Sequence, residues 1–228
     1  MQRSPVTRAL PYAALVSVVV AMGMAFFYAP TEAVQGQVQR VFYIHVPTAW
    51  VSYLAFIIVA LTSILVLRGR DIDRWDRIAG ASGEVGFVFT TVFLVTGMIW
   101  AKRAWGIAWS WDVRLTSTLV LWLIYGGYVL FRSLNPPGDR RARLSAVIGI
   151  IGAIDIPIVH FAVLWWNSAH PAPTVLRPGG PDLPGSMLLT LMVSLVAFTV
   201  LFAALLVARI SLEEERTQTM DTRDVARV

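Results

Sequence analysis

The sequence contains no cysteine, and this absence excludes several kinds of chemistry. A chain without thiols forms no disulfide, builds no thiolate metal site and makes no thioether bond to a haem group. The chain also lacks a G-x-x-x-x-G-K-[ST] motif, so it does not bind ATP through a P-loop. Charge is scarce as well, because only 14% of the 228 residues are charged. Any metal or cofactor site in this chain must therefore use side chains other than cysteine.

What the chain has in abundance is apolar sequence. It is 57% hydrophobic, with a mean hydropathy of +0.65, which is typical of a polytopic membrane protein. A helix needs about 20 apolar residues to cross a bilayer. We predict an all-α integral membrane protein, with one six-span domain over 1–211 and a polar tail over 212–228. The six predicted transmembrane helices are 10–29, 43–67, 84–101, 113–131, 144–166 and 186–209.

The basic residues predict the orientation of this domain. With six spans, both termini lie on one side of the membrane, and fourteen of the nineteen Lys and Arg residues fall on that side. The positive-inside rule then places both termini in the cytoplasm. The sequence pI of about 10.1 also raises the question of nucleic-acid binding. We predict no nucleic-acid partner, since the distribution of the arginines is explained by topology.

A tryptophan-rich segment, "WGIAWSWDVRLT", lies in a short outward-facing loop before the fourth span. Indole rings at a membrane surface often serve as interfacial anchors. Crowded tryptophans also form a flat aromatic platform for a large planar ligand. An aspartate in front of a span can cap the helix, and an arginine there can snorkel to the interface or pair with a carboxylate. The candidate binding residues in this segment are Trp105, Trp109, Trp111, Asp112 and Arg114.

All three histidines belong to the same predicted outer side. His45 starts the second span in "FYIHVPTAW", and His160 lies near the outer end of the fifth, roughly 24 Å along it at 1.5 Å per residue. An ionisable residue within a span is a functional candidate by default, although a single one is more often a packing residue. Two imidazoles at matching depth can ligate one haem iron from both faces. We predict His45 and His160 as this pair, and the role of His170 in "NSAHP" stays open.

Three other features have simpler structural interpretations. Asp155 precedes Pro157 and is expected either to donate to a carbonyl that the proline frees, or to sit at a kink that aims His160. Glu84 opens the third predicted span and is interpreted as a capping residue. The segment "RGRDIDRWDRIAG" is predicted to form a short interfacial helix, with Trp75 in the headgroups and its charges in solvent.

These motifs together resemble a known family. "WGIAWSWD" followed by "RLT" is similar to the tryptophan-rich WWD signature of haem-handling proteins. With "YIHVP" and "IPIVHFAVLWWNSAH" in the same order, the chain resembles the cytochrome c maturation protein C family, also called haem exporter protein C. The resemblance covers spans two to five, about half of the chain. It implies non-covalent haem b on a platform of Trp105, Trp109, Trp111 and Asp112, and axial ligands at His45 and His160.

The resemblance also implies a function, a location and partners. Such a protein is not an enzyme, and it binds haem at the periplasmic face of the bacterial inner membrane. It delivers the haem to a periplasmic haem chaperone of the cytochrome c maturation protein E type. A small single-span subunit of the protein D type and ABC transporter subunits of the protein A and B types complete the complex. The alternatives are a WWD-type cytochrome c haem lyase, a membrane haem transporter and an electron-transfer cytochrome b.

Overall fold

The computed structural model describes residues 5–166, 170, 175 and 177–225, with side chains described as far as residue 216. Over these residues the chain forms six long α-helices and no β-strand. All six are long and apolar enough to cross a membrane, which confirms the predicted all-α, six-span fold. The helices are α1 (Pro5–Gly23), α2 (Phe42–Leu67), α3 (Ile72–Trp105), α4 (Val113–Leu134), α5 (Asp139–Trp165) and α6 (Gly185–Val225).

The alternation of the helices defines two ends of the bundle. The segments between α1 and α2, α3 and α4, and α5 and α6 lie at one end, which we call the tryptophan end. A π-helical turn (Met24–Tyr28) and a 3₁₀ turn (Gln37–Val41) occupy the first of these segments. The start of α1 and the end of α6 lie at the opposite end, which we call the termini end. There the connections are short, since α4 and α5 are separated only by "NPPG".

Helix α2 lies at the centre of the bundle. It packs against α3, α5 and α6, while α4 packs on α5 and α1 packs on α6. Phe56 of α2 stacks face to face on Tyr125 of α4, at an interplanar angle of 4°. Close approach of α3 to α4 needs glycine, because a Cβ at Gly83 would lie 2.5 Å from the Tyr128 ring. Small residues of this kind allow van der Waals packing between helices, the main source of helix association within a bilayer.

Helix α3 begins at Ile72, about three turns before the start of the third predicted span at residue 84. The prediction of a separate interfacial helix is therefore wrong, since Ile72–Trp105 is one continuous helix. Trp75 packs against the buried side chains of Val66, Ala142 and Ala146. The chain offers no proline within this segment to interrupt the helix, so its apolar face extends to the termini end.

Because α3 is continuous here, the side chain of Asp76 faces the interior of the bundle. This contradicts the prediction that the charged residues of "RGRDIDRWDRIAG" lie in solvent. Asp76 is 7% exposed and accepts hydrogen bonds from two arginines of neighbouring helices. Arg132 of α4 binds it with both terminal nitrogens, at 3.0 Å for Nη2 to Oδ2, and Arg141 of α5 binds Oδ2 at 3.0 Å. One buried carboxylate thus joins α3, α4 and α5.

Two further acids also differ from expectation. Glu84 lies inside α3, so it caps no helix, and it pairs with Arg209 of α6 at 2.9 Å from Nη2 to Oε1. Asp155 is buried in α5, which continues as a helix past Pro157 to Trp165. Among the residues described, its Oδ2 atom makes no hydrogen bond, so that oxygen is not the donor to a carbonyl that one interpretation predicted. The other interpretation, a kink that aims His160, stays a prediction.

Candidate functional site

A pocket with a cavity volume of about 140 Å³ lies at the tryptophan end, among α2, α3, α4 and the segments that follow α3 and α5. This volume lies below the roughly 300–1,000 Å³ of small-molecule and cofactor sites, so a large ligand would extend beyond the pocket. Most of the wall is aromatic or aliphatic, and a few polar groups interrupt it. The residues that matter most for its chemistry are His45, Trp100, Trp105, Trp109, Arg114 and His170.

His45 is held in the pocket wall by the first turns of α2 and by α3. Its side chain is 7% exposed, with its ring centroid 4.7 Å from that of Phe93 and 5.6 Å from that of Trp100. Its Nδ1 lies 3.2 Å from the hydroxyl oxygen of Thr96. Gly97 provides the space for the ring, since a Cβ there would lie 2.8 Å from the His45 Cε1 atom.

A row of aromatic rings connects His45 to His170. Trp100 stacks on Trp105 with centroids 6.2 Å apart, and Trp105 meets His170 edge to face at 6.5 Å. Trp100 is fixed from outside by Gln35, whose Oε1 accepts a hydrogen bond of 2.6 Å from the indole nitrogen. Sequence reasoning assigned Trp100 only to a span and so missed its place in the pocket wall. Its position one turn before the "WGIAWSWD" motif was the available signal.

The other two tryptophans of the motif have different positions. Trp109 lines the pocket, and its buried indole nitrogen has no hydrogen-bond partner among the described residues. Trp111 packs edge to face on Trp109 at 5.5 Å, but it is 77% exposed and does not line the pocket. The predicted platform is therefore split between an inner pair, Trp105 and Trp109, and an outer ring at Trp111.

Asp112 caps helix α4, as one of its two interpretations predicted. Its Oδ1 accepts a hydrogen bond of 3.0 Å from the backbone nitrogen of Leu115, and Ser110 donates to its Oδ2 at 2.8 Å. Both oxygens therefore hold the loop to the start of α4. Arg114 follows in the first turn and lines the pocket. A guanidinium beside an apolar cavity suits a ligand that carries a carboxylate.

His160 does not line this pocket. It is half-buried on α5, with ring contacts to Tyr53 of α2 at 6.4 Å and to Phe161 at 4.8 Å. The pocket instead brings His45 together with His170, whose role the sequence left open. The sequence prediction paired His160 with His45 because the two residues lie at similar depth. Depth along a helix does not determine which way a side chain faces, however. The position of His170 in an outer loop, on the same side as the tryptophans, was the signal that pointed to it.

The fold and this site define a multi-pass membrane protein with a histidine- and tryptophan-lined pocket at one end of its bundle. Comparison with known proteins gives the particular family. The family profile described as "Heme exporter protein C" matches residues 2–224, almost the whole chain. This chain belongs to the heme exporter protein C family, which confirms the resemblance drawn from its motifs.

Individual relatives agree with this assignment. The chain is 39% identical to heme exporter protein C of Bradyrhizobium diazoefficiens, over 87% of this chain and 76% of the relative. It is 32% identical to heme exporter protein C of Haemophilus influenzae, over 87% and 80% of the two chains. A putative cytochrome c biosynthesis ccmC-like mitochondrial protein of Marchantia polymorpha is 35% identical, over 78% of this chain and 75% of that protein.

Proposed function

We propose that the pocket at the tryptophan end binds haem b non-covalently at the periplasmic face of the inner membrane and delivers it to a periplasmic haem chaperone. The observation that carries this proposal is the joint presence of two histidines, three tryptophans and an arginine around one pocket. Imidazole is a standard axial ligand of haem iron, and indole rings stack favourably on flat aromatic ligands. The absence of cysteine excludes a thioether bond between this chain and haem.

Each group at the pocket has a role in this proposal. His45 and His170 would hold the iron through their imidazole nitrogens; His170 replaces the predicted His160 in this role because it lines the pocket and His160 does not. Trp105 would stack on the porphyrin. The indole nitrogen of Trp109, which has no hydrogen-bond partner among the described residues, would donate to an acceptor on the ligand. Arg114 pairs with a propionate, because a guanidinium matches a carboxylate with two parallel hydrogen bonds.

Delivery requires a surface on which the chaperone can dock beside the pocket. Trp111 and Ile107 are exposed by 77% and 63% and lie in the segment that borders it. Exposed aromatic side chains are common anchors of protein–protein contacts. We place the chaperone of the cytochrome c maturation protein E type on this segment. The subunits of the protein D, A and B types assemble with the bundle, and the ABC transporter releases the loaded chaperone.

The direct test is a haem titration of the purified protein in mild detergent, with absorption spectra recorded in the oxidised and reduced states. We expect saturable binding of haem with a split, low-spin spectrum in the reduced state. The His45→Ala variant should lose this spectrum and bind haem at least about tenfold more weakly, because one axial bond is removed. A wild-type protein that takes up no haem would refute the proposal.

A glycine substitution tests the same pocket without touching a polar group. In the Gly97→Ala variant the new methyl group would displace the His45 ring, with which it would otherwise collide at 2.8 Å. We expect haem affinity to fall by about tenfold, in the range typical of lost support for a metal ligand. Gly127→Ala is the matched control, since a Cβ at that helical glycine meets nothing within 4 Å. Equal affinities in the two variants would show that the His45 position does not matter.

A further inference from the structure

The His45 imidazole has two nitrogens, and only one of them can bind a ligand in the pocket. In the neutral ring one nitrogen carries a proton and the other carries a lone pair. Iron coordination uses the lone pair, so the protonated nitrogen must have an acceptor elsewhere. The Nδ1 atom of His45 has such a neighbour, because the hydroxyl oxygen of Thr96 lies 3.2 Å away. The direction of this hydrogen bond therefore determines which ring nitrogen has a lone pair available to coordinate iron.

The surroundings of Thr96 determine that direction. Its hydroxyl oxygen lies 2.7 Å from the carbonyl oxygen of Val92 and 3.1 Å from that of Phe93, one turn earlier in α3. Carbonyl oxygens only accept, and two oxygens at 2.7 Å repel each other unless a proton lies between them. The single hydroxyl proton is therefore engaged by the backbone, which leaves the Thr96 oxygen as an acceptor towards Nδ1.

The packing around the ring supports the same arrangement. Phe93 and Trp100 contact the His45 ring from α3, at centroid distances of 4.7 and 5.6 Å. Gly97 leaves no side chain between the helix and the ring. The backbone carbonyl of Phe93 also accepts a hydrogen bond from the His45 ring, and this oxygen lies beside the Thr96 hydroxyl. The two aromatic side chains themselves offer no acceptor, since the phenylalanine side chain has no polar atom and the indole nitrogen of Trp100 donates to Gln35.

We infer that Thr96 is a positioning residue that holds His45 as the Nδ1–H tautomer and so presents the Nε2 lone pair for iron coordination. This inference rests on the proposed haem site, which it deepens by assigning the ligating atom and the residue behind it. Hydrogen bonding to the far nitrogen also increases electron donation from the imidazole, which favours ferric over ferrous iron. Sequence position gives no hint of this role, because Thr96 and His45 are 51 residues apart.

The test compares two substitutions at one position, each with and without haem. Thr96→Val keeps the shape of the side chain but removes the acceptor, whereas Thr96→Ser keeps the hydroxyl. Nitrogen NMR of protein labelled at histidine reports the His45 tautomer in the haem-free state, with His45→Gln to assign its signal. We expect the Nδ1–H form in the wild type and in Thr96→Ser, and a shift towards the Nε2–H form in Thr96→Val.

The haem-loaded proteins provide the second readout. Thr96→Val should bind haem about 10- to 100-fold more weakly, the usual range for removal of such a partner, with a raised midpoint potential. In Thr96→Ser the haem affinity and the midpoint potential should both stay close to those of the wild type. Equal losses in the two variants, or an unchanged tautomer in Thr96→Val, would overturn the inference. Failure of the wild type to bind haem would instead overturn the proposed function, and the NMR result would still decide the tautomer.

Discussion

Replacing Asp76 with asparagine is expected to cause the largest loss of folding stability of any single substitution considered for this protein. The carboxylate is buried and accepts hydrogen bonds from Arg132 and Arg141, which are themselves about nine-tenths buried. Removal of its charge leaves two buried guanidinium groups without the carboxylate that both of them bind. Breaking a buried ion pair in this way typically costs about 3–5 kcal/mol. We expect a loss of this size in the free energy of unfolding.

The measurement is equilibrium unfolding in detergent, followed by tryptophan fluorescence, with Asp73→Asn as the matched control. Asp73 lies one turn earlier on α3 and is exposed, so the same chemical change there should cost less than about 1 kcal/mol. Similar stabilities of the Asp76→Asn and Asp73→Asn variants would show that the buried cluster does not hold α3, α4 and α5 together. A low yield of folded Asp76→Asn protein beside a normal yield of the control would agree with the expected destabilisation.

Alanine at His170 is expected to remove the low-spin haem spectrum, whereas alanine at His160 is expected to leave it intact. His170 lines the pocket with His45 and contacts Trp105, while His160 lies outside the lining and contacts Tyr53. Loss of one of two axial imidazoles leaves the iron five-coordinate or bound to water, with a high-spin spectrum. We expect His170→Ala to weaken haem binding by at least about tenfold.

This comparison decides whether His45 binds the iron together with His170 or together with His160. The measurement is the oxidised and reduced absorption spectrum of each of the three single histidine variants. His45→Ala should behave like His170→Ala, since both remove a ligand from the same iron. The opposite pattern, with loss in His160→Ala and none in His170→Ala, would restore the pair that the sequence predicted. Low-spin spectra in all three variants would exclude histidine ligation at this pocket.

Sequence patterns and the tertiary structure contributed different parts of the site. The tryptophan motif, His45 and the helix cap at Asp112 could all be identified from local sequence, because each depends on residues within a few positions. The face of α5 on which His160 lies and the inward position of Asp76 could not. Both depend on how each helix is rotated about its axis, and hydropathy over a span of about 20 residues does not record that rotation.

The sequence by itself determined that the chain forms six membrane-spanning helices and belongs to the heme exporter protein C family. These properties follow from runs of apolar residues and from short motifs, which are local features of the chain. Only the tertiary structure decided that Thr96 contacts His45 and that His170 shares its pocket. Such contacts join residues far apart in the chain, and they arise from the packing of all the helices together.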